Sequence, residues 1–530
     1  MKIIKYPLLL ISGVVALSFP NLVIALENSL GSKGINAYIL HQEPYNLIGR
    51  KIALGQIEIG RPSKFGFDKA ASWNPPFKIN GLFKINELAI PNENVDNHAN
   101  MVAMVMVSND KKLPGVAPGA KLFSSGVGSL KNGGQPEECL ASIHVAARNG
   151  GDVRAINFSF GESLERDKRE NAILDGNALL TQCVDWSARV HNVLYVIAGN
   201  QGKGGIPIPT DQYNGITAAY TAQKEGEFAK IDFANLSALP QGIGSRLIKR
   251  EINVGKRRAI SLAAPGNKIS LYNLDGKMTQ VSGTSFAAPH ITASVALLQE
   301  FGDKQLREKQ SNWSLDSRRH EVMKTVLLNS AEKIKDTGDG FLLGMTRTIL
   351  DKQNNNWFKS DAYQNPETPL DMQSGTGQLN VFRAYQQFSA GQWKPDDLVP
   401  PLGWDFNTIT TKQIKDYQLK SSLPQGSFVS LTLTWDRLVE LNDTNNNQTY
   451  DLGENFTDQG LNNLDLYLMP ADSNNIEDSV CSSSSKVDNT EHIFCPIPST
   501  GDYKIRIYYS QQVNNKNQTY SLAWWTFNHD

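Results

Sequence analysis

The chain has 530 residues, more than one ordinary domain holds and enough for a sizeable core. Its formal net charge is -1, which gives no electrostatic case for nucleic acid or an anionic membrane as partner. The Asn-rich stretches are too local to suggest wholesale disorder.

The N-terminus reads "MKIIKYPLLLISGVVALSFPNLVIALENS". Lys2 and Lys5 precede an apolar run, and Val23 and Ala25 occupy the -3 and -1 positions of a cleavage after Ala25. Residues 1–25 are therefore expected to be a secretory signal. The alternative is an uncleaved anchor, but the run is short for a span and Pro20 interrupts it. No other stretch could cross a membrane. The expectation is an exported protein, extracellular or periplasmic, with no stable membrane span after signal cleavage. Residues 26–50 are read as a short N-terminal segment.

From 51 to 392, short apolar runs alternate with helical patterns. "KIALGQIEI", "KLFSSGV", "RAINFSF", "VLYVIAG", "ITAAYT" and "AISLAAPG" read as strands that are apolar on both faces. "NHANMVAMVMVS", "CLASIHVAARNG", "NALLTQCVDWSARVHN" and "TSFAAPHITASVALLQEF" read as helices. This alternation predicts an α/β domain, a parallel sheet flanked by helices, with any active site at the carboxyl ends of strands. Residues 303–320 read as a charged surface insertion, and "EVMKTVLLNSAEKI" as an amphipathic helix. Residues 351–374 read as a long loop. "GTGQLNVFRAYQQF" closes the domain, and residues 393–404 read as a proline-bearing linker. From 405 to 530 the pattern alternates apolar and polar, which predicts a C-terminal antiparallel β-sandwich. Of the four cysteines, Cys139 and Cys183 fall in the first domain and Cys481 and Cys495 in the second. In an exported protein that grouping favours Cys139–Cys183 and Cys481–Cys495 bridges, with four buried thiols as the alternative.

The strongest chemical signal is "SGTSFAAPHITASVALL", residues 282–298. Ser285 opens a helix apolar nearly all round, and Pro289 is read as falling in its first turn. Backbone N–H groups at such a buried terminus can stabilise a developing oxyanion. From this stretch alone, Ser285 is equally well a helix cap.

The stretch resembles the nucleophile motif GTSxAAP of the subtilase family of serine proteases. The resemblance spreads over roughly residues 48–390, through "GVAPGAKL", "INFSFG", "VIAGNQG", "LAAPGNKI" and "GTGQLNVFRA". It implies a subtilisin-like fold and endopeptidase activity on a protein or peptide substrate, with no cofactor for catalysis. By motif it implies Ser285 as nucleophile and Asn200 as oxyanion donor. Ser159, Phe160 and Gly161, with Ala198 and Gly199, would flank the bound peptide. The family pattern HGTHVAG is replaced by "DNHANMVAM", which places His98 at the catalytic position and Met101 at the second histidine. Subtilases usually show D-S/T-G at the end of the first strand. Here "GQIEIG" puts Glu58 on the aspartate. A glutamate can orient a histidine and stabilise the imidazolium. The alternatives are a noncatalytic Glu58 in a silent protease fold, or a triad carboxylate supplied by Asp68 or Asp96. Many subtilases also carry a folded inhibitory prodomain, and the roughly 25 residues after Ala25 are too few for one.

The C-terminal region resembles the pre-peptidase C-terminal domain of secreted bacterial proteases, which implies an appendage that binds surfaces or is trimmed. Within it, "DTNNNQTYDLGE" places Asp443, Asn445, Asn447, Thr449, Asp451 and Glu454 at calcium-loop spacing, so a structural Ca2+ is the metal it could hold. Gln448 stands where the sharp-turn glycine belongs, and the alternative is a solvated hairpin loop. The combined expectation is a secreted serine endopeptidase using a Ser-His-Glu triad. The other readings are a silent binding module and an adhesion or glycan-binding protein acting through the sandwich.

Overall fold

The computed structural model describes residues 28–69, 73–128, 134–199, 208–231, 257–336, 343–395 and 397–526. The signal segment 1–25 lies outside them. Among the described residues the N-terminal unit is built on one ten-stranded sheet. Its strands are β1 (Ala53–Glu58), β2 (Ile79–Lys84), β3 (Glu87–Leu88), β4 (Lys121–Gly126), β5 (Val153–Phe158), β6 (Leu194–Ala198), β7 (Ile216–Lys224), β8 (Glu227–Lys230) and β9 (Leu262–Pro265). The hairpin β10 (Ile269–Tyr272) with β11 (Met278–Val281) stands apart, and β12 (Ile349–Leu350) completes the sheet. The order is β12-β8-β7-β6-β5-β1-β4-β2-β3, with β9 on β7.

The central strands β4, β1, β5, β6 and β7 run parallel, and every residue of β1, β5 and β6 is buried. The cause is helices on both faces, as the continuous apolar runs predict. The main helices are α1 (Asn97–Val107), α2 (Gln135–Ala146), α3 (Leu179–His191), α4 (Thr284–Arg307), α5 (His320–Asn329) and α6 (Val381–Ser389). α1 and α4 cover one face through Val102, Met106, Ala293 and Leu297. α2 and α3 cover the other through Ala141, Val145, Val184 and Ala188. Gly55 lets α2 approach β1, since a Cβ there would lie 2.6 Å from Ile156 and 2.7 Å from Val145. Residues 28–50 are part of this core and not a loose leader, because Leu30, Ile35, Leu40 and Leu47 are buried in it.

The C-terminal unit contains β13 (Leu398–Val399), β14 (Leu402–Thr410), β15 (Ile414–Leu419), β16 (Phe428–Thr434), β17 (Val439–Leu441) and β18 (Phe456–Asp458). It continues through β19 (Asn463–Pro470), β20 (Cys481–Ser483), β21 (Thr490–Pro496), β22 (Tyr503–Gln511) and β23 (Asn517–Trp525). Sheets β13-β15-β22-β19-β20 and β14-β23-β16-β21 enclose a core that includes Leu431, Leu466, Ile505 and Leu522. This is the expected sandwich. β17 and β18 form a separate two-stranded arm that lies on α3, with the Phe456 and Trp186 ring centroids 5.7 Å apart. Both disulfides, Cys139–Cys183 and Cys481–Cys495, are present.

Three expectations are corrected. The stretch 303–320 is not wholly an insertion, because α4 continues to Arg307 and α5 begins at His320. Residues 393–404 are not a free linker: they hold β13 and the start of β14, and Trp404 is fully buried and stacked on Phe388. The helix read as amphipathic, α5, has no solvated face, for all ten of its residues are buried. Its polar face meets the sandwich. Asn329 accepts hydrogen bonds from Thr432 (2.9 Å) and Ser430 (3.1 Å), and Thr325 pairs with Thr434. From α6, Gln387 donates to the carbonyls of Gly403 and Trp524, both at 2.8 Å.

The sandwich is thus structural cover, and trimming it should unfold the rest. Trp404, Val439, Tyr450 and Phe456 complete the two cores of the N-terminal unit. Each large apolar side chain so removed costs about 1.5–3 kcal/mol, against a typical total stability of roughly 5–15 kcal/mol. A chain ending before β13 is expected to lack a cooperative melt by circular dichroism. A melt close to that of the full chain would show that the docking is dispensable.

Candidate active site

β1 ends at the carboxyl edge of the sheet with Glu58, which is 2% exposed. His98 is the second residue of α1, and its Nδ1 lies 3.2 Å from Glu58 Oε2. The entry into α1 is fixed by Asp96, whose carboxylate caps the helix by accepting the Ala99 N–H. Gly60 is required here, because a Cβ would sit 2.3 Å from Asp96 Cβ. Asp96 and Asp68 are both committed elsewhere. Asp68 forms a bidentate pair with Arg61 at 2.6 and 2.7 Å and accepts the Lys64 and Asn92 N–H groups. Of the three acids considered from sequence, Glu58 is the one hydrogen-bonded to His98.

Burial pushes the Glu58 carboxyl above its usual range, although His98 pulls it back. Burial also opposes charge on His98, but attraction and a hydrogen bond from Glu58, with help from Asp96, more than offset it. The His98 pKa therefore lies above the ordinary imidazole value. The side chain of His98 is 36% exposed, so the ring is open to solvent while its partner is not. Glu58 Oε1 is buried without a hydrogen-bond partner among the described residues.

Ser285 is the second residue of α4, and the His98 ring centroid lies 5.5 Å from that of the following residue, Phe286. Its hydroxyl donates to the Ser159 carbonyl at 3.1 Å and not to His98. In return the Ser159 hydroxyl donates to the Ser285 carbonyl at 2.9 Å. Pro289 explains why that carbonyl is available. Helical numbering from Thr284 puts Pro289 in the second turn, not the first. Its missing N–H is the one that would have bonded Ser285 four residues earlier. Behind this pair, Asn157 donates to Ser159 Oγ at 2.8 Å and accepts from Thr292 at 3.3 Å.

Ala198 ends β6, and Gly199 continues the pairing by donating to the Ala218 carbonyl at 2.8 Å. The Gly199 carbonyl accepts from Thr284 Oγ1 at 3.1 Å, which ties this strand end to the residue before Ser285. Asn200 lies outside the described residues. Phe160 is buried and stacked on Phe158 at 5.2 Å, so its ring belongs to the α2/α3 core; Gly161 is half-buried. Sequence reasoning missed Asn157, Thr284 and Thr292. The available signal was Asn157 itself, a polar residue inside an apolar parallel strand, since a buried amide must find partners.

The loop Asp443–Glu454 joins β17 to β18. Asp443 accepts the backbone N–H groups of Asn447 and Gln448, and the Gln448 bond first among them holds its carboxyl below the usual range. Asn445 and Asn447 both turn their amides onto Asp451, at 2.8 and 2.6 Å, and Asn447 Oδ1 accepts the Thr449 N–H. Glu454 accepts from Thr444 and the Asp451 N–H. Gln448 has φ +62°, so the left-handed turn expected of glycine is made by glutamine.

Comparison with known proteins gives a consistent result. The subtilase family is matched over residues 79–346. The major intracellular serine protease of Bacillus subtilis (strain 168) is 25% identical over 257 residues, covering 47% of this chain and 67% of that protein. Thermitase of Thermoactinomyces vulgaris is 24% identical over 241 residues, covering 46% and 68%. The chain spans only 15% of tripeptidyl-peptidase 2 of Drosophila melanogaster, at 24% identity over 230 residues and 41% of this chain. Among solved structures, the prenylagaramide maturation protease PagA aligns with TM-score 0.41 and 18% identity, covering 71% of this chain and 100% of that one.

Proposed function

Because the chain belongs to the subtilase family, with its parallel sheet and flanking helices, we propose that it is an exported serine endopeptidase acting through a Ser-His-Glu triad. Ser285 attacks the scissile carbonyl, and His98 takes its proton and later gives it to the leaving amine. Glu58 holds the His98 tautomer and stabilises the imidazolium. Asn200 and the Ser285 N–H receive the oxyanion. The observation that carries this reading is the His98–Glu58 contact of 3.2 Å at the end of β1. Among the described residues no helix is long and apolar enough to cross a membrane. Covalent labelling by a fluorophosphonate probe tests the proposal, and the labelled peptide should contain Ser285.

A silent binding module is the second reading. It is favoured by the Ser285 hydroxyl, which is bonded to Ser159. Serine reaches other staggered rotamers at small cost, and catalytic hydrogen bonds often form only with substrate bound. Absence of labelling in a folded protein would decide for this second reading.

The oxygen-rich loop at the tip of the arm supports a structural Ca2+ held by Asp443, Asn445, Asn447, Asp451 and Glu454, with the Thr449 carbonyl. The ion would brace the loop and take no part in catalysis. At a free concentration a hundred times its Kd it would add about 2.7 kcal/mol, so chelation should lower the full chain's Tm by roughly 2–3 °C. An unchanged melt would mean the loop is closed by its own hydrogen bonds.

A further inference from the structure

A cavity of about 830 Å³ opens between the N-terminal unit and the arm of the sandwich. Its walls come from three places. The start of α2 gives Gln135 and Pro136, the segment after β5 gives Glu165 to Arg169, and the start of α3 gives Leu179 and Gln182. The arm closes it with Asn455 and Phe456.

Its position relates it to Ser285. Helices that follow parallel strands begin at the carboxyl edge of the sheet, so α2 and α3 start on the edge that bears Glu58 and Ser159. Ser159 is bonded to Ser285, and Arg166 lies about seven residues further along the chain, at most about 25 Å away. An extended peptide covers that distance in about seven or eight residues, at about 3.3 Å each.

The lining chemistry narrows the occupant. Arg166, Lys168 and Arg169 are matched by Glu137, Glu165 and Asp167. Arg169 is tied to Asp167 at 2.7 Å and to Asp175 at 2.9 Å, and Arg166 lies 3.2 Å from buried Glu162. A wall with no net charge does not select a polyanion or a bare cation. Pro136, Leu179 and Phe456 supply apolar surface inside it. Balanced charge around an apolar patch suits a polypeptide that lays an apolar side chain into the cavity and offers amides and mixed charges to the walls.

We propose that this interdomain cavity is a substrate-binding exosite, which seats a segment of the polypeptide substrate remote from the scissile bond and makes the sandwich arm part of substrate recognition. The inference rests on the proteolytic reading above, and its test separates the two.

All four native cysteines are in disulfides, so Lys168→Cys, at an exposed position in the wall, offers one thiol for a bulky maleimide. The same folded protein is then compared before and after modification. Two substrates share a core cleavage sequence, one short and one extended by eight residues on each side. Modification should lower kcat/KM for the extended substrate at least tenfold and leave the short substrate and fluorophosphonate labelling unchanged. In a Ser285→Ala background, which binds without turnover, it should weaken the Kd of the extended peptide by a similar factor. Leu179→Arg, which fills the cavity from another wall, should act in the same direction. Equal effects on short and extended substrates, or none on either, would overturn the exosite. So would a failure of the Ser285→Ala protein to bind the extended peptide more tightly than the short one. Absence of probe labelling overturns the protease reading instead, and the binding comparison still decides the exosite.

Discussion

Ser285→Ala should lower kcat by about 10⁶-fold and abolish fluorophosphonate labelling while the fold survives. That factor corresponds to about 8 kcal/mol at 1.36 kcal/mol per decade. The loss is large because the hydroxyl is the group that forms the covalent intermediate, and His98 and Glu58 act only through it. A remainder of 10³–10⁴-fold over water, roughly what an oxyanion site and binding supply alone, should persist. The structural cost is small. Among the described residues the hydroxyl makes one hydrogen bond, to the Ser159 carbonyl, and the reciprocal bond from Ser159 to the Ser285 backbone is untouched by the change. Equal hydrolysis by wild type and variant would remove Ser285 from the mechanism.

Ser285 and His98 could be singled out because each sits in a short local pattern whose chemistry constrains its neighbours. The helix start, the small residues and the apolar continuation after Ser285 all lie within one stretch of sequence. What supports them is non-local. Ser159 meets Ser285 across 126 residues and Asn157 meets Thr292 across 135. Sequence spacing gives no account of such pairs until the sheet brings β5 under α4. Pro289 was misread for a simpler reason. The helix begins at Thr284 as its sequence suggests, and Pro289 is the sixth residue, beyond the roughly 3.6 residues of the first turn.

The fold shows a similar division. The central parallel strands were readable, because burial on both faces leaves unbroken apolar runs in β1, β5 and β6. The short strands β3 and β12, two residues each, carry no such signal. α5 was read as amphipathic, and its pattern does have polar positions. Those positions meet hydroxyl and carboxylate groups of the sandwich: Thr325 meets Thr434, Asn329 meets Thr432, and His320 lies 3.2 Å from Asp436. A helix with a polar face reads as solvated whenever its partner is a polar surface more than a hundred residues away. The same blindness made Trp404 look like part of a linker, although it is buried among Phe388 and Trp313.

Glu58→Gln is expected to lower kcat by roughly 10⁴-fold, the size of loss seen when a triad carboxylate becomes an amide. That is about 5.5 kcal/mol. The side chain keeps its length and shape, so burial and packing change little. What disappears is the charge that stabilises the imidazolium, together with the certainty of the tautomer. The pH profile supplies a second readout. Activity needs neutral His98, and Glu58 is what lifts the His98 pKa above its ordinary value against the pull of burial. The acid limb of the wild-type profile should therefore lie above the ordinary imidazole pKa. In Glu58→Gln the lift from Glu58 is gone and only the weaker attraction of Asp96 opposes burial, so the limb should move to lower pH even as the plateau falls. Glu58→Asp restores the residue usual in the family but withdraws the carboxylate by one methylene. Starting from 3.2 Å, that retreat takes the pair out of hydrogen-bond range unless α1 shifts inward. The charge stays close, so the aspartate variant should keep more activity than the glutamine variant and less than wild type. Its acid limb should fall between theirs. The measurement is kcat/KM against pH for all three proteins, with folding checked by circular dichroism. A folded Glu58→Gln enzyme with wild-type activity and an unmoved acid limb would make Glu58 a bystander. No neighbour could then step in cheaply, because Asp68 would have to leave Arg61 and Asp96 would have to uncap α1.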